Sequence, residues 1–182
     1  MRYTFHSEQW LPYPVELVFA FFADPENLPR LMPPWQKARI EQAAFVPPPP
    51  RPAAEPTNNG LKGIAGGVGT CLTVSFRPFR FSPIRVPWEA EITDFIWNDR
   101  FCDRQIRGIF VYWHHCHSVR PQTNPQHQSD GSGTLICDDV EYEMPFGKFG
   151  ELLHRLFLAR QLSKSFAYRH ARTSDLLSRA RP

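Results

Sequence analysis

Hydrophobic and polar residues alternate along much of the chain with the period of two that is typical of β-strands. Seven stretches carry this pattern, and they cover residues 2–10, 37–45, 70–79, 85–95, 100–107, 111–120 and 132–144. Turn-forming residues separate the closest of them, with Asn98-Asp99 before the fifth stretch and Gly108 after it. The pattern therefore predicts an antiparallel sheet of about six to seven strands.

Helical periodicity replaces the strand pattern in two regions. Residues 14–23 predict one short helix, and Asp24-Pro25 can cap and begin a second one after it. Residues 147–171 predict a long helix, with basic residues largely off an apolar stripe formed by Phe149, Leu152, Leu153, Leu156, Phe157 and Phe166. One long helix against a curved sheet buries both apolar faces, so we expect an α+β domain of two layers.

The chain has 182 residues, which suits a single domain with a sizeable core. We expect this domain to cover residues 1–173 and a C-terminal tail to cover residues 174–182. Proline-rich residues 46–59 predict a surface loop, because proline donates no backbone hydrogen bond to a sheet. The polar residues 121–131 predict a hairpin loop.

Composition and charge exclude several classes of protein. Hydrophobic residues make up 42% and charged residues 21%, which is typical of a globular protein in water. The net charge of +3 does not by itself indicate nucleic acid, and we expect none as a partner. No run of eighteen apolar residues is present, so we expect no stable membrane insertion. The first residues lack an apolar signal core, and we therefore expect a cytoplasmic location.

The four cysteines are Cys71, Cys102, Cys116 and Cys137, and none of them forms a C-x-x-C pair. All four fall within predicted strands, and buried reduced thiols are the usual state of such residues in the cytoplasm. A disulfide between neighbouring strands is the alternative interpretation.

Four local sequences are similar to those of a known group of proteins. They are Trp88-Glu89-Ala90-Glu91-Ile92-Thr93, Phe101-Cys102-Asp103-Arg104-Gln105, Trp113-His114-His115-Cys116-His117 and Asp138-Asp139-Val140-Glu141-Tyr142-Glu143-Met144-Pro145-Phe146-Gly147. The order of one strand, two short helices, about six strands and a long C-terminal helix is the helix-grip arrangement. The chain resembles the START-like superfamily, also called SRPBCC, and within it the polyketide cyclase/dehydrase-like bacterial subgroup. Some members of that subgroup are fused to domains like nucleoside-diphosphate-sugar epimerases.

The resemblance implies a deep apolar cavity between the sheet and the long helix, and it transfers no catalytic residues. Such a cavity would bind a small hydrophobic ligand, for example a lipid, an isoprenoid or a polyketide-like molecule. We expect no cofactor. The side chains expected to contact the ligand are Phe19, Phe22, Trp88, Gln105, Trp113, His115, Tyr142, Leu153 and Phe157.

Polar residues on three predicted strands suggest chemistry in the same cavity. Alternate strand residues share a face, so His115 and His117 point the same way, and Asp103 can lie opposite them. Together with Tyr142 on the next strand, they are candidates for general acid–base catalysis in a cyclase or dehydratase-like enzyme. The competing interpretation places them on the outer, solvated face, where Asp–His pairs commonly fix the register of a sheet.

We expect no metal site. Adjacent strand residues point in opposite directions, so at most two of the three imidazoles in residues 114–117 can converge. A third ligand would have to come from Asp103 or Asp138. The sequence leaves open whether the protein is an enzyme, and it also leaves open a protein-interaction module that uses the proline-rich loop or the basic helix.

Overall fold

The computed structural model describes residues 1–52, 64–124 and 131–179. Within these ranges seven strands confirm the predicted sheet: β1 (Arg2–Leu11), β2 (Arg39–Ala44), β3 (Cys71–Phe76), β4 (Val86–Ile96), β5 (Arg100–Arg107), β6 (Tyr112–Thr123) and β7 (Ser132–Glu143). All neighbouring strands are antiparallel, in the spatial order β1-β7-β6-β5-β4-β3-β2. The sheet therefore begins and ends on the two strands that flank the short helices.

Two short helices, α1 (Val15–Ala23) and α2 (Leu28–Leu31), lie between β1 and β2. The turn between them begins at Asp24, whose side chain accepts a hydrogen bond of 3.0 Å from the backbone N–H of Glu26. This is the capping contact that the Asp-Pro pair predicts.

The C-terminal helix is built from three consecutive pieces. They are α3 (Gly147–Leu153), a π-helical turn (His154–Leu158) and α4 (Ala159–Arg179). The chain turns out of β7 into α3 through two residues with positive φ, Phe146 at 72° and Gly147 at 50°. Together with the curved antiparallel sheet, this helix confirms the α+β helix-grip fold.

Two clusters of buried side chains hold the layers together. One packs α1 and the end of α4 against the sheet through Leu11, Phe19, Phe95, Ile136 and Leu177. The other joins the sheet to the first half of α4 through Phe110, Val140, Tyr142, Leu162 and Phe166.

The predicted apolar stripe of the C-terminal helix packs against the sheet only in part. Phe166 is buried, at 7% exposed, as predicted. By contrast, Leu156 is 65% exposed and Phe149 60% exposed, so the stripe does not continue into α3 as a buried face. A π-helical turn carries more residues per turn than an α-helix, and this changes the direction of the stripe between α3 and α4.

The C-terminal tail predicted at residues 174–182 is wrong for residues 174–179, which belong to α4. Leu176 is 6% exposed and Leu177 is fully buried in the core. The sequence did not indicate this, because too few residues follow Leu176 and Leu177 for a helical period to be recognised there. Residues 180–182 lie outside the described part of the chain.

The predicted hairpin loop at 121–131 begins later than expected, because β6 continues to Thr123. Pro121 lies within β6 opposite Thr134 of β7. The pairing of β6 with β5 ends at Ser118, so the absent N–H of Pro121 faces no strand on that side. Residues 125–130 of the predicted loop lie outside the described residues.

Residues 46–52 of the predicted proline-rich loop have no regular secondary structure, and residues 53–59 are not among those described. The described part rests on Trp97. The indole Nε1 donates a hydrogen bond of 2.6 Å to the carbonyl of Pro49. The guanidinium of Arg51 lies 4.2 Å from the centre of the same ring. These contacts hold the start of the loop against the sheet.

Cys102 and Cys116 form a disulfide, so the expectation of four reduced thiols is wrong for this pair. The two residues are direct partners in the pairing of β5 with β6, with Cα atoms 4.1 Å apart. Cys71 and Cys137 are free. No helix in the described ranges has the length and the apolar character to cross a membrane, while the cytoplasmic location stays a prediction.

Replacing Leu177 by Ala tests whether the end of α4 belongs to the core. We expect the free energy of unfolding to fall by about 3 kcal/mol, because the substitution leaves a cavity in a fully buried site. Urea denaturation followed by circular dichroism measures the change. Arg179→Ala is the matched control, since the Arg179 side chain is 71% exposed, and it should stay within about 0.5 kcal/mol of the wild type. Equal stability of the two variants would contradict the buried position of Leu177.

Candidate functional site

A cavity of about 470 Å³ lies between the sheet, α2 and the C-terminal helix. Most of the side chains around it are apolar and come from β3, β4, β5, β6, α3 and α4. Of the residues predicted to contact a ligand, six line it: Phe22, Trp88, Trp113, His115, Leu153 and Phe157. The cavity thus occupies the position that the helix-grip arrangement implies.

Three predicted ligand contacts lie elsewhere, and two of them are explained by local packing. Phe19 is 1% exposed and packs its ring against Phe95 and Phe101 in the core, with centroid distances of 5.4 and 6.0 Å. Gln105 closes the turn between β5 and β6, because its Nε2 donates a hydrogen bond of 2.8 Å to the carbonyl of Phe110. Neither side chain is among those that line the cavity.

Tyr142, predicted both as a ligand contact and as a catalytic candidate, is also outside the cavity lining. It is 2% exposed, and its hydroxyl lies 2.8 Å from Nε2 of His154 in the π-helical turn. The ring of Tyr3 stacks on that imidazole with a centroid distance of 3.6 Å. Burial raises the pKa of Tyr142, so the phenol keeps its proton and ties the C-terminal helix to the sheet.

Five polar side chains converge on the cavity side of the sheet, and we call them the polar cluster: Asp103, His115, His117, Asp138 and Arg169. Strand register explains four of them, because Asp103 lies opposite His115 and His117 lies opposite Asp138. His115, His117 and Asp138 are all at most 6% exposed. The solvated outer face, which was the competing interpretation, is therefore wrong for these residues.

The hydrogen bonds within the cluster fix the proton positions on His117. Arg169 Nη2 lies 3.2 Å from Nε2 of His117, and a guanidinium can only donate. Nε2 therefore accepts, and the proton of a neutral ring lies on Nδ1. That nitrogen contacts Oδ1 of Asp138 and donates to it. The same carboxylate oxygen lies 3.2 Å from Nε2 of His115.

The charges follow from burial and from these contacts. Burial lowers the pKa of His117 to about 3, so the ring is neutral near pH 7. Burial alone would raise the pKa of Asp138, but the charge of Arg169 and the hydrogen bonds from the two imidazoles outweigh it. The pKa of Asp138 therefore lies well below its usual range, and the cluster contains a buried carboxylate under the influence of the positive charge of Arg169.

Asp103 is the member of the cluster that is best placed for proton transfer. Its Oδ1 lies 3.7 Å from Nδ1 of His115, and its side chain lines the cavity. Burial raises its pKa, so it holds a proton more readily than an ordinary carboxyl group. A carboxyl group of this kind, beside an imidazole, can donate a proton to a ligand oxygen and recover it.

Arg169 also has unused hydrogen-bonding capacity. Its Nε is buried, and it has no hydrogen-bond partner among the described residues. Leaving such a donor unpaired costs free energy. An acceptor oxygen on a ligand would remove that cost, because Arg169 lines the cavity.

A metal is poorly suited to the cluster. Ligand atoms of Asp103, His115 and His117 lie within 4.8 Å of one another. Two imidazoles with Asp103 as the third ligand are a combination that the strand pattern allows. However, Arg169 occupies the free lone pair of His117 and adds a positive charge. A second group, Cys102, His114 and Cys116, has both sulfurs in the disulfide.

Arg169 was not predicted as a site residue, although the sequence contains a signal for it. It follows Leu162 by seven residues and Phe166 by three, which places it on the same helix face. Leu162 and Phe166 both face the cavity. The sequence indicates Asp138 as a possible third metal ligand, but an isolated carboxylate gives no sign of which side chains surround it.

Comparison with known proteins places the chain among relatives of known fold. Residues 11–167 match the family described as polyketide cyclase/dehydrase and lipid transport. No curated protein matches the sequence. A protein of Thermus thermophilus is similar in structure with a TM-score of 0.62 and 17% identity, over 98% of this chain and 99% of that one.

Two further solved structures are similar. Norcoclaurine synthase from Thalictrum flavum has a TM-score of 0.59 and 18% identity, over 97% of this chain and 87% of that chain. A nucleoside-diphosphate sugar epimerase from Corynebacterium glutamicum has a TM-score of 0.58 and 20% identity; the match covers 96% of this chain and 29% of that one. At these identities the likeness establishes the fold alone, and with the family match it confirms the START-like resemblance.

The neutral state of His117 predicts a specific dependence of stability on pH. In the folded protein His117 stays without a second proton down to about pH 3. In the unfolded chain the same imidazole has its ordinary pKa of 6.5 and binds a proton below that pH. The free energy of unfolding should therefore fall with falling pH, and this residue should contribute about 1.4 kcal/mol per pH unit. In His117→Gln the decline between pH 6.5 and 4 should be shallower by about that slope.

Urea denaturation at a series of pH values measures both curves. His114→Gln is the matched control, because His114 is on the opposite face of β6, and it should retain the steep decline. If the free energies of unfolding of His117→Gln and the wild type declined in parallel with falling pH, His117 would not be a buried neutral imidazole.

Proposed function

We propose that this chain, which belongs to the polyketide cyclase/dehydrase and lipid transport family, binds one small hydrophobic ligand in the cavity between the sheet and the C-terminal helix. The observation that carries the proposal is the cavity itself. Its volume of about 470 Å³ lies within the range of roughly 300–1,000 Å³ that is typical of sites for small molecules.

The lining indicates which kind of molecule fits. Trp88, Trp113 and Phe166 present aromatic surface, and aliphatic side chains from β3 and α4 complete the wall. Transfer of an apolar ligand into such a site is favourable in proportion to the area removed from water. Lipid, isoprenoid and polyketide-like molecules all meet this requirement.

The polar cluster adds a second requirement, which is a polar group on the ligand. Arg169 Nε offers a donor without a partner, and the Asp103 carboxyl group faces the same cavity. A ligand with a carbonyl or hydroxyl oxygen at one end would accept from Arg169 and bond to Asp103. A purely hydrocarbon ligand would leave both groups unpaired, and its affinity should be lower for that reason.

Displacement of the fluorescent probe 1-anilinonaphthalene-8-sulfonate tests ligand binding. Competitors should include saturated fatty acids, isoprenoid alcohols, hydroxylated aromatic polyketides and plain alkanes of similar size. We expect at least one of the oxygenated classes to displace the probe, and the alkanes to compete more weakly. No displacement by any class would contradict the proposal.

A cavity-filling variant makes this test specific. Ala90 lines the cavity, so the ring of Ala90→Phe would take the volume that the ligand needs and should weaken binding by about tenfold or more. Glu89→Phe is the matched control, because the neighbouring residue of β4 points to the other face. It should bind like the wild type, and equal binding by Ala90→Phe would show that the ligand lies elsewhere.

Acid–base catalysis is a second candidate function, favoured by the raised pKa of Asp103 beside His115. In a cyclisation or dehydration, the Asp103 carboxyl group would donate its proton to a carbonyl or hydroxyl oxygen of the substrate. The resulting carboxylate would then take a proton from the substrate carbon, and in a dehydration the protonated hydroxyl group would leave as water. Arg169 would hold the substrate oxygen in position, and His117 would hold the neighbouring ring of His115.

Substitution of Asp103 distinguishes carrier from enzyme. If the protein turns over a polyketide-like substrate, Asp103→Asn should lower kcat by about 10²–10⁴ while binding persists, because the amide cannot transfer the proton. Product formation by mass spectrometry and probe displacement measure the two properties separately. Glu91→Gln, on the other face of β4, should leave both unchanged. Turnover that is equal in Asp103→Asn and the wild type would remove Asp103 from the reaction.

A further inference from the structure

The first part of the C-terminal helix is apolar on two sides. Leu153 and Phe157 line the cavity, while Phe149 and Leu156 on the same segment are at least 60% exposed. An ordinary amphipathic helix turns only one apolar face inward and presents polar residues to water. The second apolar face of α3 and the π-helical turn is therefore left without protein to cover it among the described residues.

The loop between β3 and β4 adds apolar side chains to the same region. Phe79 packs its ring against Phe157 with a centroid distance of 5.8 Å, and further along the loop Phe81 is 90% exposed. We call this combined surface the apolar rim, and it consists of the exposed residues Phe79, Phe81, Ile84, Phe149, Leu152 and Leu156.

The apolar rim adjoins the opening of the cavity. Among the residues that line the cavity, the exposed ones are Phe79, Ile109, Leu153 and Phe157. Two of these belong to α3 and the π-helical turn, and Phe79 belongs to the rim itself. Three of the four exposed lining residues therefore lie on or beside the rim, and Ile109 lies in the turn between β5 and β6.

Basic residues surround these apolar side chains. Arg80 lies between the two phenylalanines of the loop, and Lys148, Arg155 and Arg160 are exposed along the helix. The nearest acidic residue on the helix is Glu151, and the loop segment 77–85 contains none. Aromatic and aliphatic side chains with interspersed Lys and Arg are the combination that binds the surface of a membrane with anionic lipids.

We propose that the apolar rim docks reversibly on the surface of an anionic phospholipid bilayer, with the cavity opening facing the lipid. The exposed side chains would enter the boundary between headgroups and acyl chains, and Arg80, Lys148, Arg155 and Arg160 would meet lipid phosphates and carboxylates. A second copy of the chain fits the rim less well. A symmetric dimer would bring the same basic residues together from both copies, and like charges would repel. This docking goes beyond the proposed ligand binding and does not require it.

Flotation with lipid vesicles tests the docking in the absence of any cavity ligand. The wild type should bind vesicles of phosphatidylcholine with about 30% phosphatidylserine, and it should bind pure phosphatidylcholine vesicles more weakly. Added salt should weaken the binding. Leu156→Ser and Phe149→Ser should each reduce the partition coefficient by about tenfold, since each removes one apolar side chain from the lipid.

Ile96→Ser is the matched control, because Ile96 is also exposed, at 43%, but lies at the opposite end of β4 from the loop. It should bind vesicles like the wild type. Arg155→Glu tests the charge separately, and it should reduce the preference for anionic lipid. All substituted positions are exposed, and circular dichroism with thermal unfolding verifies that each variant is folded.

The proposal is overturned if the wild type does not float with anionic vesicles, or if Leu156→Ser and Ile96→Ser bind equally. Sedimentation velocity identifies the alternative occupant. A dimer that Leu156→Ser converts to a monomer, without vesicle binding by the wild type, would assign the rim to a second copy.

Discussion

The buried carboxylate of Asp138 requires compensating charge and hydrogen bonds from the side chains around it. A carboxylate that is 2% exposed in the middle of a sheet would destabilise the fold unless other groups compensated its charge and its hydrogen-bonding capacity. Here His115 and His117 both reach one of its oxygens, and the charge of Arg169 lowers its pKa. Loss of any one of these partners would leave the others with unmatched charge or unpaired hydrogen-bonding groups.

The polar side chains of the cluster are held in fixed positions at the wall of an otherwise apolar cavity. Four of its members come from three neighbouring strands whose register is fixed by long ladders, and Arg169 reaches them from α4. The helix is in turn held in place at its far end by Leu177 in the core and near its start by the bond between Tyr142 and His154. Side chains that are positioned from several rigid elements can present fixed donors and acceptors to a ligand.

The local patterns of the chain predicted the strands and their faces well. The alternation in residues 113–117 separates His115 and His117 from their neighbours, and the pairing with β5 and β7 confirms it. Contacts between distant segments were not predictable in this way. A basic residue on an amphipathic helix is usually solvated, so the helical pattern did not place Arg169 in the cavity. Disulfides are rare in the cytoplasm, so reduced thiols were the expected state of Cys102 and Cys116. The exposure of α3 was missed for a further reason, because sequence periodicity does not reveal a π-helical turn.

The π-helical turn divides the C-terminal helix into two parts of unequal stability. Gly150 is the one buried residue that α3 contributes, whereas α4 buries Leu162, Phe166, Thr173, Leu176 and Leu177. Local opening costs least where few apolar contacts are broken, so α3 can separate from the sheet while α4 stays in place. The residence time of a bound molecule would then depend on the local opening of one short helix. Variants with the same melting temperature can therefore differ in how long they hold the molecule.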